Sequence, residues 1–252
     1  MYPFSSASIQ HALLALRQDA TFQVALPHIK AGRFPRDPNN TVYQHRLCYT
    51  QALRPYLYHP ALLQVIFSDA DLKTLFFRTF GYRGPMDFTI YPNVWLRDLP
   101  LLYLGQRVYL GDGLLLGTNQ VSIDQSYLSV GPITIGDHTV LDQQVAIGYH
   151  THIGQACHLG FRTGLGIHCA VGDGTRVEES VVIGHGVKIG TGVTVQQRAH
   201  IGNMSLIDDG LTVASSQVIP PFSHVTAEGV YHRRSREREY LGAGTAYRMG
   251  GV

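Results

Sequence analysis

From Ile135 to Val225 an aliphatic residue returns every six positions, sixteen times without losing phase, and no helix has such a period. The beat runs through Ile147, Ile153, Leu159, Leu165, Val171 and Val177 to Ile183, Ile189, Val195, Ile201 and Ile207. Glycine follows the aliphatic residue nine times, as in Ile135-Gly136 and Ile183-Gly184. The fifth place is small or branched, as at Thr139, Val145, Cys157, Thr163, Cys169, Val181 and Ser205. A coil that turns a corner every six residues satisfies this pattern, and short internal periods of this kind mark a β-solenoid. The first residue then fills the interior and the fifth fits the narrowing corner. Glycine is expected to supply turn conformations that a Cβ would penalise. Three hexads close one coil, so residues eighteen apart stack at about the 4.8 Å strand spacing.

The same beat occurs upstream at Leu104-Gly105, Leu110-Gly111 and Leu116-Gly117, then slips by one residue near Val121-Ser122. The expectation is one prism over residues 104–228, roughly seven coils with a bulge near 121. A stack of this sort buries its core only between neighbouring coils and needs a cap at each end.

This pattern resembles the hexapeptide-repeat acyltransferase family, over about half of the chain. The resemblance implies a mainly β fold, a left-handed parallel β-helix with an N-terminal α-helical cap, and a homotrimer with sites between adjacent prisms. Residues 1–103 are expected to be the cap and lead-in, with residues 86–103 covering the first coil. Helical spacing marks Ser6 to Arg17, with Ser5, Ser6 or Ser8 as the N-cap, then a stretch near 42–54 and another from Pro60 to about Phe80. The Pro- and Asn-rich run 34–40 reads as a loop. Residues 229–252 form a basic tail, with a short charged helix expected over His232–Leu241 and frayed residues after it.

Charge is uneven. Residues 1–103 hold ten Lys/Arg and six Asp/Glu, residues 104–228 five and ten, and residues 229–252 five and two. An acidic prism between two basic ends has no basic, aromatic-laced groove of the kind nucleic acid needs. The basic ends are either solvated surface or an attraction for the phosphates of a pantetheine carrier. No run of apolar residues is long enough to span a membrane, and the opening residues lack the basic start and apolar stretch of a leader. Three cysteines, two of them at inward fifth places on different sides of the prism, argue against a disulfide framework and for a cytoplasmic location.

Eight of the thirteen histidines fall in the prism, and hexad position sorts them. His185 alone takes the third place, in Ile183-Gly184-His185-Gly186-Val187-Lys188-Ile189-Gly190. That stretch looks like the acyltransferase motif of the family, in which the histidine is the general base. An imidazole titrates near working pH and can take the proton of an attacking amine or hydroxyl. By resemblance, the backbone N–H of Asn203, one coil on, would donate to the tetrahedral oxyanion. His150 and His168, eighteen apart, with Tyr149 beside them, would shape the acceptor pocket. The motif departs from the family at Gly186, where Asn, Asp or Glu is usual, and no long loop interrupts 135–228 to wall a site.

The implied reaction moves an acyl or acetyl group from acyl-CoA or an acyl-carrier protein to a small-molecule amine or hydroxyl, with no metal and no tightly bound cofactor. A non-catalytic trimeric scaffold or carrier-binding module is the alternative. A zinc-dependent carbonic anhydrase-like enzyme is a third, weakened because no His-x4-His pair occurs.

Overall fold

The computed structural model describes residues 5–232 and 239–242. Five helices come first: α1 (Ser6–Gln18), α2 (Ala20–Ala25), α3 (Thr41–Leu57), α4 (Pro60–Ser68) and α5 (Ala70–Thr79). Ser5 caps α1 by accepting from Ser8 N–H, and Asn40 caps α3 by accepting from Tyr43 N–H. The helix expected from Pro60 to Phe80 is two helices. Asp69 is extended between them, and its carboxylate accepts from Asp71 and Leu72 N–H as the N-cap of α5. Within the expected loop region a short strand, β1 (Gly32–Pro35), precedes the turn.

An aromatic cluster holds the cap together and continues into the prism. Phe76 packs on Phe80 with centroids 5.1 Å apart, and Phe77 packs on Phe88 at the same distance. Phe88 belongs to β2 (Phe88–Ile90), which already runs parallel to β4 (Val108–Leu110). Trp95 bridges Leu115 in the same sense. The stack therefore takes up the chain at Phe88, ahead of the boundary expected near 104, and residues 88–101 are wall rather than cover. The hexad beat missed this coil because Phe88 and Trp95 pair with Val108 and Leu115, two residues beyond the eighteen-residue period.

From β3 (Leu102–Leu104) onward three parallel sheets form the faces, and the register is the one expected: Ala146 opposes Gly164, Val182 opposes His200, and Ile189 opposes Ile207. Every first-place residue from Ile135 to Val225 is buried, and so is every fifth-place residue named above. Val195, Ile201 and Ile207 have no exposed surface at all. Thr139 donates to Gly154 O and accepts from Cys157 N–H, which satisfies an inward hydroxyl without water.

Two expectations need correcting. The phase slip near 121 is not a bulge. After β5 (Leu115–Gly117) the chain leaves the prism as an antiparallel hairpin, β6 (Asn119–Val121) and β7 (Tyr127–Val130), and re-enters at β8 (Ile133–Ile135). β7 also pairs antiparallel with β1 of the cap, so the hairpin is a three-stranded sheet shared with the first domain.

Second, the turn conformation does not fall on the glycines that follow the aliphatic residue. It falls on the fourth place, where every residue from His138 to Phe222 has φ between +52° and +68°, most of them not glycine. The second-place glycines answer a different need, close approach of the next coil: a Cβ on Gly136 would sit 2.5 Å from Gln155 N.

The parallel stack ends at Ser223–Thr226, which pairs antiparallel with Gly229–His232. Residues 239–242 add another antiparallel strand. The charged helix expected over His232–Leu241 is thus absent at both of its described ends, and residues 233–238 and 243–252 lie outside the described residues. No helix is long and apolar enough to cross a membrane, among the described residues.

Replacing buried Ile201 by Ala is expected to lower stability by about 2–5 kcal/mol, the usual range for a large aliphatic residue cut back in a core. Exposed Ser216, at φ +59°, separates conformation from packing. Ser216→Val should lose about 1–2 kcal/mol, whereas Ser216→Gly should not destabilise. Denaturant unfolding of the three variants checks both.

Candidate functional site

The corners of the prism carry a side-chain ladder that decides what His185 is doing. At one corner the third-place residues are Asp137, Gln155, Asp173, Thr191 and Asp209. Asp173 Oδ1 accepts from Gln155 N–H at 2.9 Å, Asp209 Oδ1 from Thr191 N–H at 2.7 Å, and Asp137 Oδ1 from Gln106 N–H at 2.7 Å. Each carboxylate reaches back one coil to an N–H that the sheet ladder leaves over.

At another corner the column reads Tyr149, Ile167, His185, Asn203 and Pro221. Here Asn203 Oδ1 accepts from His185 N–H at 2.8 Å, and His185 Nδ1 accepts from Ile167 N–H at 3.0 Å. The imidazole therefore fills the rung an aspartate fills elsewhere.

That rung orients the ring and sets its tautomer. With Nδ1 accepting, the neutral imidazole carries its proton at Nε2. No carboxylate is needed to hold it, which answers the departure at Gly186. Gly186 has φ +66°, and a Cβ there would run into Met204 Sδ. Gly166 is needed for the same reason, since a Cβ would lie 2.5 Å from His185 Nδ1.

His185 is exposed and opens onto a groove of about 280 Å³. Leu115, Ala146 and Ile167 give the groove apolar walls, and Tyr149 lines it together with His185. Asn119 and Gln120 of the hairpin close one side. The wall that the uninterrupted repeat seemed to lack is thus supplied from upstream. A larger cavity of about 490 Å³ lies between the cap and β3, but its lining, which includes Lys30, Arg83 and Tyr103, holds no histidine, cysteine or carboxylate. The groove is therefore the candidate site.

Of the expected residues, His185 and Tyr149 come together in the groove. His150 and His168 stack on one another, centroids 4.7 Å apart and planes 15° from parallel, and Tyr149 lies edge-on to both at 5.5 Å. They flank Tyr149 without lining the groove. Gly131, just past the hairpin, abuts the His150 ring. Burial pushes the His150 imidazole below its ordinary value, and the neighbouring His168 adds to that. Asn203 presents its side chain to His185, and the next residue of the column, Pro221, has no side-chain acceptor with which to continue the ladder.

Two histidine–aspartate pairs were not foreseen. His158 Nε2 lies 3.0 Å from Asp142 Oδ2, and His224 Nε2 lies 2.7 Å from Asp208 Oδ1. The signal was present, since each aspartate precedes its histidine by the same offset, just short of one coil. Neither pair touches the groove. Among the described residues no three His, Cys, Asp or Glu converge as a metal-ligand set, and the three cysteines are free.

His185→Asn should keep the rung, because Asn203 shows that an amide oxygen fills it, and so should unfold like the wild type. His185→Ala should lose about 0.5–1.5 kcal/mol with the hydrogen bond. For His150 the lowered value means that the folded state resists protonation. Its contribution is intact above the ordinary imidazole range and is lost as pH falls through the folded-state midpoint. In an NMR titration His150 should titrate below an exposed histidine, and His168→Ala should move it back up.

No model of a known protein family matches the sequence, and no curated protein matches it. Solved structures do resemble the chain. A hexapeptide transferase family protein from Anaplasma phagocytophilum is 15% identical, with a TM-score of 0.41, over 57% of this chain and 75% of that one. LpxA, a UDP-N-acetylglucosamine acyltransferase from Bacteroides fragilis, is 18% identical, with a TM-score of 0.32, over 57% of this chain and 59% of its own. PerB from Caulobacter crescentus, solved with CoA and GDP-perosamine, is 16% identical, with a TM-score of 0.37, over 68% of this chain and 62% of its own. At such identities the likeness concerns architecture alone. By its own repeat and its own coil register, the chain is a hexapeptide-repeat parallel β-helix with an α-helical cap.

Proposed function

We propose that this chain is an acyltransferase that moves an acyl or acetyl group from a CoA or carrier-protein thioester to a small-molecule amine or hydroxyl. The observation that carries the reading is an exposed imidazole, fixed by its main-chain rung, at the head of an apolar groove. Such a groove suits a hydrocarbon acyl chain, and a thioester carbonyl brought to its lining beside His185 would meet the imidazole.

The chemistry asks two things of these residues. A proton must leave the attacking nucleophile, and negative charge must be held on the carbonyl oxygen. His185 is the candidate base. In the rung its only free ring nitrogen bears a proton, so base catalysis requires the ring to give up the hydrogen bond from Ile167 N–H. One such bond contributes about 0.5–1.5 kcal/mol net, a small barrier beside the chemical step. The Asn203 N–H is the candidate oxyanion donor, because the ladder ends there. Tyr149, with His150 and His168 stacked behind it, would form the acceptor side. The remaining elements of the proposal are a homotrimer, CoA or a carrier protein as co-substrate, no resident metal, and a reducing cytoplasm suited to three free cysteines.

A scaffold reading has one observation in its favour: the His185 rung does the same structural task as Asp173 and Asp209. The test is thiol release from acetyl- and longer acyl-CoA and from acyl-carrier protein, with mixed amine and hydroxyl acceptors, using wild type and His185→Asn. The transferase reading expects turnover that falls by at least about a hundredfold in the variant, the usual contribution of a general base, while unfolding is unchanged. Equal turnover in both proteins removes His185 as the base. No turnover with any donor leaves the scaffold.

A further inference from the structure

Asp98 sits in the first coil of the prism with almost no exposed surface, and three groups from two parts of the chain converge on it. Arg46 of α3 donates from Nη2 to Oδ1 at 2.7 Å. Thr118 Oγ1 and Asn119 Nδ2 donate to Oδ2 at 2.8 and 2.9 Å. The ion pair is fully sequestered, with 5% and 3% of the two side chains exposed, and Arg46 Nε and Nη1 meet no acceptor among the described residues. Burying a guanidinium with two nitrogens unserved is a poor way to gain stability, because desolvation opposes the Coulombic attraction. A well-packed apolar pair would serve a cap at least as well.

What the ion pair touches is more telling. Asn119 opens the hairpin, and Asn119 and Gln120 wall the groove that holds His185 and Tyr149. Thr118 O also accepts from Gly131 N–H, which closes the base of the hairpin beside His150. The far strand of the hairpin is held by β1 through pairs such as Phe34 with Leu128. The cap therefore grips the wall of the site at both strands, by main-chain pairing on one and by the Arg46–Asp98–Asn119 relay on the other.

We infer that Arg46, in the helical cap, is a positioning residue of the His185 groove, acting through Asp98 and Asn119 on the hairpin that walls it. The inference rests on the reading of the groove as the acyl site. It gives the cap a part in the site rather than the role of an end cover alone.

The test combines hydrogen exchange with kinetics on the full chain. Arg46→Met keeps the volume and removes the relay, Arg46→Lys keeps a charged donor, and Asn119→Ala cuts only the last link, outside the cap core. Amides of 119–130 should exchange about tenfold faster in Arg46→Met and Asn119→Ala, as expected when a local unit loosens alone. Amides of the coils from 147 to 201 should keep wild-type protection.

With a thioester the wild type accepts, KM should rise severalfold in Arg46→Met and Asn119→Ala while kcat stays near wild type, and Arg46→Lys should recover part of the loss. Exchange that is unchanged at the hairpin, or faster everywhere alike, overturns the inference. So does a loosened hairpin with KM unmoved. If Arg46→Met fails to fold, the exchange pattern of Asn119→Ala decides, because Asn119 itself lines the groove and its KM would rise on either account. A wild type silent toward every thioester overturns the transferase reading alone, and the exchange pattern still decides whether the relay positions the hairpin.

Discussion

The whole structure depends on main-chain hydrogen bonds passing from each coil to the next. From His158 to Ile219 every strand is two residues long, and such a strand has no cohesion of its own. Its N–H and C=O groups must be satisfied by the coils before and after it, because backbone polar groups cannot be buried unpaired. The ladder runs without interruption along each face, for instance from Thr163 O to Ala146 N and from Val181 O to Gly164 N. At the corners it breaks, and the third-place N–H has to find an acceptor elsewhere. That single deficit accounts for much of the composition. Aspartate or asparagine in the third place supplies the oxygen, and glycine in the second place of the coil below leaves room for it. A Cβ on Gly154, Gly184 or Gly190 would collide with Asp173, Asn203 or Asp209 respectively.

His185 is therefore a residue whose surroundings serve two masters. The corner needs an acceptor from it, and Nδ1 provides one. Chemistry would need a lone pair from it, and the ring has only one in its neutral form. An aspartate in that place could do the first task but would add charge beside an apolar groove. An asparagine could do it too, as Asn203 does one coil later, but could take no proton. Histidine is the one side chain that meets the structural requirement and can also give up the rung and accept a proton near neutral pH. The structural and catalytic accounts of His185 are in this sense not rivals, and the presence of Asn203 in the same column shows that the corner by itself did not require an imidazole.

The prism was legible because its period is enforced by stacking: a first-place residue such as Ile201 has only one direction to point. The corner that holds His185 followed from the same arithmetic, since third-place residues eighteen apart share a corner. What could not be read was whatever departs from the period. The fifteen residues between β5 and β8 looked like a slipped register, because Ile123 and Ser129 happened to resume a beat. Ile123 is in fact fully exposed at the hairpin tip. The pairing of β7 with β1 joins segments nearly a hundred residues apart, and local pattern carries no trace of such a contact. The fourth-place turn was also hidden, since His138, Gln144 and Arg198 are not residues that announce a left-handed conformation.

The position of that hairpin is itself an argument about the site. A regular prism presents three flat faces and shallow corners, and small residues such as Gly164 and Ala146 leave this face flatter still. A ligand held only by such a face would keep much of its surface in water, and apolar contact would contribute little. A wall must come from somewhere, and an insertion within the repeat would break the ladder on which the coils above and below depend. The chain instead departs at the end of one strand and returns to the next face in register, with Leu104, Leu110 and Leu116 still opposing Ile135, Leu141 and Ile147. The coil is left intact while a side is added to the groove. Because the departing hairpin has no core of its own, it borrows rigidity from the cap through β1 and Asp98, and this ties the helical domain to the chemistry at the corner.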